Sequence, residues 1–267
     1  MKIRAAVWLT AAALIVCYAP VMRGVALQWW RDEDMGHGFL VPLVIAWFIW
    51  RERARWMALT PRPAASGIVL LLLGAALYVA AAVGAGLFTG AVALIVSMAG
   101  AVVCIGGYRY LRVWAFPLLL TAFMVPKLAI VYNASTLPLQ LLASRLAAGM
   151  LTATGVAVIR QGNILDVGGH QIAVAEACSG IRYLLPLVFS TLVFARVAGA
   201  KWRMTALLLV LAIPVAVLAN AARVAISGYA PRFAEGTWHE ALGWALFVVC
   251  LGAVAAAHSM LRRTVRI

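Results

Sequence analysis

Residues 64–106 read AASGIVLLLLGAALYVAAAVGAGLFTGAVALIVSMAGAVVCIG and contain no charged side chain. A helix that crosses the hydrocarbon core of a bilayer needs about 20 mostly apolar residues. The stretch is long enough for two such helices, which we predict over 64–83 and 87–106. It therefore predicts a membrane protein.

The rest of the chain has the same character. Of its 267 residues, 66% are hydrophobic and 11% are charged, and the mean hydropathy is +1.01. A soluble domain is about 45 to 50% apolar and about a quarter charged, so an ordinary water-soluble fold is excluded. We predict one integral all-α membrane domain over 1–267 with about eight transmembrane helices. The other six lie at 5–21, 38–50, 113–131, 183–195, 204–219 and 241–257.

The charged residues give the predicted helices an orientation. The chain has 22 Lys and Arg against 8 Asp and Glu, a net charge of +14. With the N-terminus inside, the inner segments carry fourteen of the basic residues and one acidic residue, Glu52. This bias obeys the positive-inside rule, so we expect both termini in the cytoplasm. It also explains the basic balance without a nucleic-acid partner.

One segment between the predicted spans, residues 132–177, is too long for a simple turn. Its first half has leucines at helical intervals and predicts an amphipathic helix over 134–151, lying at the outer surface of the membrane. A ninth span there is the alternative, although a proline, a glutamine and an arginine would be costly in lipid. The second half alternates short β-branched runs with Gly and Asn turns, which predicts small β-hairpins before the sixth span.

Three polar residues are expected at one depth on the outer face. Cys178 precedes the sixth span, Arg223 follows the seventh, and His239 stands at the mouth of the eighth. A cysteine at the N-terminal end of a helix is favoured as a thiolate, an imidazole can move the thiol proton, and a guanidinium can stabilise an oxyanion. Together these groups indicate acyl transfer.

Each of these residues also has a structural interpretation. Cys178 can be a small buried side chain, Arg223 can extend toward the membrane surface, and His239 can be an interfacial side chain. His37, at the outer mouth of the second span, can line the same site. The motifs of metal and nucleotide sites are absent from the sequence, so we expect neither a metal nor another cofactor.

The sequence resembles the exosortase and archaeosortase family of membrane transpeptidases. The resemblance rests on EACSGIRYL at 176–184, NAARV at 220–224, and His239 followed by Gly243 and Trp244. It implies a Cys178 nucleophile, a His239 base and an Arg223 that assists them. The matching positions that would support these three are Glu176, Ser179, Gly180, Arg182 and Asn220.

The resemblance also implies a substrate and a location. The substrate would be an exported protein with a C-terminal sorting tail, made of a short Pro-Glu-Pro-like motif, a hydrophobic span and a basic cluster. The enzyme would lie in the bacterial inner membrane and cleave near that motif on the outer face, with segment 132–177 as a lid or a substrate contact. The alternative is a transporter or assembly subunit of exopolysaccharide export, in which Arg223 and His239 contact an anionic substrate.

Overall fold

The structure, a computed structural model, describes residues 2–174, 180–234 and 236–264. The chain divides into two compact units, residues 1–128 and 129–267. Both units consist mainly of helices, and a small three-stranded sheet lies in the second.

The first unit contains six α-helices and two short 3-10 segments. The 3-10 segments are Glu33–Phe39, between the first two helices, and Thr121–Met124, after the sixth. A π-helical turn, Ala81–Ala85, joins the fourth helix to the fifth. The α-helices are α1 (Lys2–Arg31), α2 (Leu40–Arg51), α3 (Arg53–Met57), α4 (Ser66–Ala80), α5 (Gly86–Gly106) and α6 (Tyr108–Leu120).

Helices α4 and α5 form an antiparallel pair from the charge-free stretch. The chain reverses at Gly84 and Gly86, whose φ angles of 129° and 79° suit glycine best. A Cβ added at Gly74 of α4 would collide with the Ser97 hydroxyl of α5, so the two backbones approach closely. Both predicted helices are present.

Helix α6 is shorter than the span predicted over 113–131. It ends at Leu120, and Val125 is extended with φ −70° and ψ 134°. The residue before a proline is pushed out of the helical region, and Pro126 has this effect on Val125. The helix is therefore broken completely before Pro126, and Lys127 lies in a non-helical segment.

The second unit begins with the helix and hairpins predicted before the sixth span. Strands β1 (Val158–Gln161), β2 (Ile164–Val167) and β3 (His170–Ala173) follow α7 (Ala129–Ala153) and pair antiparallel in that order. Val158 faces Val167, and Leu165 faces Ile172. The second turn consists of Gly168 and Gly169, both with positive φ, as a tight two-residue hairpin requires.

Helix α7 buries several of its small and polar residues and exposes some of its leucines. Gln140, Ser144 and Ala147 are buried, whereas Leu137 and Leu141 are exposed. The Ser144 hydroxyl donates to the Gly162 carbonyl at 3.0 Å, which attaches the helix to the first hairpin. Outward leucines suit a helix that contacts lipid.

Three more α-helices complete this unit: α8 (Ile181–Val197), α9 (Trp202–Tyr229) and α10 (Gly236–Thr264), with a 3-10 turn, Pro231–Phe233, before the last. Their common core is apolar, with Leu187, Leu208, Ala212 and Val254 among its buried members. A second cluster joins α7 and β2 to Val224 and Ala225 of α9. Helix α9 is therefore covered by α8 and α10 in one region and by α7 with the sheet in another.

By length and composition, four helical segments within the described residues can cross a membrane. They are Ala5–Arg31, Ser66–Gly106, Trp202–Tyr229 and Gly236–Arg263, and the second of them contains both α4 and α5. The predicted count of eight is not confirmed, because α2 and α6 have only 12 and 13 residues. These lengths fall short of the roughly 20 residues that a bilayer requires.

Candidate active site

Arg223 is buried in the second unit, with 2% of its surface exposed. Its guanidinium carbon lies 5.1 Å from the centre of the Tyr183 ring, in a cation–π contact between α9 and α8. Helix α10 approaches the same point through Gly243, where an added Cβ would lie 3.6 Å from that carbon. The three helices therefore enclose one guanidinium.

Beside Arg223 lies a small cavity of about 10 Å³. Its lining is apolar and is formed by carbon atoms of residues that include Tyr183, Asn220 and Arg223. In such surroundings a charge acts over a low-dielectric medium and is felt more strongly than in water. The cavity has room for about one water molecule beside the arginine side chain.

Asn220 lies one turn before Arg223 and contacts the start of α8. Gly180, the residue that caps α8, has a φ of 86°, and a Cβ added there would lie 3.3 Å from the Asn220 side chain. A side chain at position 180 would be strained by the backbone conformation and crowded by Asn220. Glycine is therefore required where the EACSG segment enters α8.

His239 stands in the first turn of α10, and a backbone group fixes its orientation. Its Nδ1 lies 2.8 Å from the carbonyl oxygen of Phe233, which can only accept a hydrogen bond. The proton of the neutral ring is therefore on Nδ1, and the lone pair is on Nε2. Arg182 and Arg223 both interact electrostatically with this imidazole.

Some of the predicted site residues lie close together in the structure, and others are outside the residues that it describes. The structure brings together Gly180, Asn220, Arg223, His239 and Arg182 within the second unit. Cys178, Glu176 and Ser179 lie outside the described residues.

The helix of the predicted seventh span continues past its predicted end at residue 219. Because no proline stands between residue 219 and Tyr229, α9 continues to Tyr229. Arg223 is six residues before that end, or about 9 Å along the axis at 1.5 Å per residue. Asn220 and Arg223 are therefore side chains of the helix itself.

His37 belongs to the first unit, where it lies in a polar cluster. The Nζ of Lys127 pairs with carboxylate oxygens of Asp32 and Asp34, each 2.8 Å away. Burial lowers the pKa of His37, and the charge of Asp34 opposes the shift only in part. Burial alone would lower the pKa of Lys127, but the two carboxylates have the larger effect, and the pKa is raised.

Several residues of these sites were not assigned a role from the sequence. Tyr183 and Gly243 lie in the stretches that carry the resemblance, and Ser227 lies one turn after Arg223. The hydroxyl of Ser227 donates to the Phe233 carbonyl at 2.9 Å, the same oxygen that His239 contacts. Among the residues that the structure describes, no three His, Cys, Asp or Glu side chains form a group that could hold a metal ion.

Comparison with known proteins identifies a protein family. A family model described as transmembrane exosortase matches residues 29–256, which is most of the chain. No protein of curated function matches, and no solved structure does. The matched range contains every residue of the site described above.

Proposed function

Because the chain belongs to the transmembrane exosortase family, we propose that it is a membrane-embedded cysteine endopeptidase or transpeptidase. Its substrates are exported proteins that carry a C-terminal sorting tail with a Pro-Glu-Pro-like motif, a hydrophobic span and a basic cluster. Cys178 is the nucleophile, His239 the base and Arg223 the group that binds the reacting carbonyl.

The observation that supports this most strongly is the buried guanidinium of Arg223 beside a cavity and near an oriented histidine. Burying a charge in an apolar environment is costly, and inside a membrane segment such a residue commonly serves a function. The Phe233 carbonyl holds the His239 ring with Nε2 as its acceptor nitrogen. A general base needs that arrangement.

In the proposed reaction, Nε2 of His239 removes the thiol proton of Cys178 as the sulfur attacks the scissile carbonyl. A carbon–sulfur bond forms, and the charge that develops on the carbonyl oxygen is stabilised by Arg223. The carbon–nitrogen bond then breaks, and His239 gives its proton to the leaving amine. Water or the amine of an acceptor resolves the acyl-enzyme and regenerates the thiol.

The membrane setting suits this substrate. A tail that contains its own hydrophobic span can approach α9 and α10 from the lipid, and the positive-inside rule keeps its basic end in the cytoplasm. We place the active site on the outer face of the bacterial inner membrane, with both termini cytoplasmic. The substrate bond then lies at the surface where the protein has just been exported.

Helix α7 and the sheet act as a cover for the site in this proposal. They pack on Val224 and Ala225, the two residues that follow Arg223. A cover that limits water favours transfer over hydrolysis. Replacing residues 158–173 by a short Gly-Ser linker is expected to raise the ratio of hydrolysed to transferred product. The milder Asn163→Ala removes the hydrogen bond that the Asn163 amide donates to the Val174 carbonyl at 3.2 Å, and it should change the ratio in the same direction. An unchanged ratio in both variants contradicts a covering role.

The test of the whole proposal uses cells that express a tail-bearing substrate. Cys178→Ala and Cys178→Ser should both abolish processing, and Cys17→Ala in α1 serves as the matched control. His239→Ala should also stop it, and Arg223→Lys should reduce it, since lysine keeps the charge but loses the planar donors. Processing that survives both Cys178 variants would falsify the nucleophile assignment.

A second candidate is a transporter or assembly subunit of polysaccharide export. It is favoured by one observation, the burial of Arg223 within a candidate membrane span, because substrate-binding charges of transporters occupy such positions. This function needs no thiol. Export that persists in Cys178→Ala but stops in Arg223→Lys would favour the transporter.

A further inference from the structure

Tyr183, Arg223 and Gly243 form a contact across three helices. Tyr183 is in the first turn of α8, and its ring receives the Arg223 guanidinium carbon at 5.1 Å. A Cβ added at Gly243 would collide with the Tyr183 hydroxyl, and it would lie 3.3 Å from the ring carbon that bears the hydroxyl. The phenol of Tyr183 is therefore held between the cation and the backbone of α10.

From this geometry we propose that Tyr183 is a positioning residue for Arg223, and that residue 243 is glycine to admit the Tyr183 phenol. The inference rests on the proposed function for its catalytic consequence. The contact itself is independent of that function.

The physical need for such a residue follows from the arginine side chain. Arginine has several rotatable bonds and a large rotamer entropy, so a guanidinium that must meet one carbonyl oxygen has to be held in place. A cation–π contact holds the guanidinium against the face of the tyrosine ring and does not use any of its N–H groups. It is strongest where water is excluded, and Arg223 is almost fully buried.

The Tyr183 contact also connects Arg223 to the segment that carries the proposed nucleophile. Tyr183 follows Cys178 by five residues, and Gly180 between them contacts Asn220, one turn from Arg223. The first turn of α8 is thus joined to α9 at two points. A shift of the phenol would change the position of the guanidinium relative to the start of α8.

The decisive experiment is a rescue in processing assays with a tail-bearing substrate. Tyr183→Phe keeps the ring and should stay within about threefold of wild type, whereas Tyr183→Leu should lower the turnover rate about 10- to 30-fold, the range of a desolvated cation–π contact. The effect should fall on kcat, with KM changed much less, because the contact orients a group that acts in the transition state.

Gly243→Ala should displace the phenol and lower turnover about tenfold. Adding Tyr183→Phe removes the hydroxyl that the new methyl group meets, so the double variant should recover to within about threefold of Tyr183→Phe alone. Gly252→Ala is the matched control, because Gly252 is also in α10 and an added Cβ there meets nothing within 4 Å. It should leave turnover unchanged.

A second measurement separates this inference from the proposed function. In detergent, Gly243→Ala should lower the midpoint of thermal unfolding when Tyr183 is present. The same substitution should lower it much less in the Tyr183→Phe variant. Tyr183→Leu should likewise lower the unfolding midpoint less when Arg223 has been replaced by methionine than when Arg223 is present. If the wild-type protein does not process the substrate, the proposed function fails. The two comparisons of unfolding midpoints then decide by themselves whether the contact between Tyr183, Arg223 and Gly243 exists.

Two results would overturn the inference. One is a Gly243→Ala, Tyr183→Phe double variant that is no more active and no more stable than Gly243→Ala. The other is a Tyr183→Leu variant with normal kcat and a lowered unfolding midpoint, which would make Tyr183 a packing residue only.

Discussion

The backbone carbonyl of Phe233 accepts a hydrogen bond from Nδ1 of His239 at 2.8 Å. The same oxygen accepts a second one from the Ser227 hydroxyl at 2.9 Å. Ser227 is buried on α9, one turn after Arg223. One carbonyl therefore fixes the histidine tautomer and ties the histidine to the helix that carries the arginine.

Ser227→Ala should reduce processing without abolishing it. The substitution removes one of the two hydrogen bonds to the Phe233 carbonyl, which is worth about 0.5 to 1.5 kcal/mol, or roughly two- to tenfold in rate. Ser259→Ala is the control, since it removes a hydroxyl hydrogen bond from α10 near its other end. Kinetic assays on both variants check the prediction, and equal activity of the two would contradict it.

Gly180→Ala should destabilise the protein by about 1 to 2 kcal/mol, because an L-residue is strained at a φ of 86°. The new methyl group would also crowd Asn220, so processing should fall sharply. Gly149→Ala is the matched control in α7, where an added Cβ meets nothing within 4 Å and alanine favours the helix. Thermal unfolding in detergent measures both changes; a neutral Gly180→Ala would argue against the strained cap.

Lys127→Met should destabilise the first unit by about 1 to 3 kcal/mol. It leaves Asp32 and Asp34 without their shared cation, and all three side chains are at most 25% exposed. Adding Asp34→Asn should recover part of the loss, since it removes one carboxylate charge. The exposed Lys201→Met serves as the control. If all three variants unfold at the same temperature, the ion pairs contribute nothing to stability.

The half-buried imidazole of His37 predicts a dependence of stability on pH. Burial lowers the pKa of His37 below its usual value of 6.5, so the unfolded chain binds a proton more readily than the folded one. Stability should therefore decline as the pH falls below about 6.5, and His37→Gln should remove that part of the decline. Unfolding midpoints at pH 7.5 and 5.5 test this, with the exposed His170→Gln as the control.

The sequence predicts the helices well where apolar residues run without interruption. The 64–106 stretch gives two helices because hydrocarbon side chains and an unbroken run of helix-compatible residues leave few alternatives. The hairpins are likewise foreseeable, because Gly168 and Gly169 mark a turn that few other residues form. Helix ends are less accurate: α9 runs ten residues beyond its predicted end, since hydropathy falls at Asn220 but the helix does not end there.

The candidate active site, like the fold, was predictable from the sequence only in part. The sequence predicted Arg223 and His239 from their residue types and positions, and Asn220 and Gly180 from the family resemblance, because the chemistry of a side chain is fixed by its identity. The partners of these residues depend on which helix faces are in contact, and hydropathy does not specify faces in a protein that is apolar throughout. The pairing of Tyr183 with Arg223 and of Phe233 with His239 was therefore decided by the packing of α8, α9 and α10.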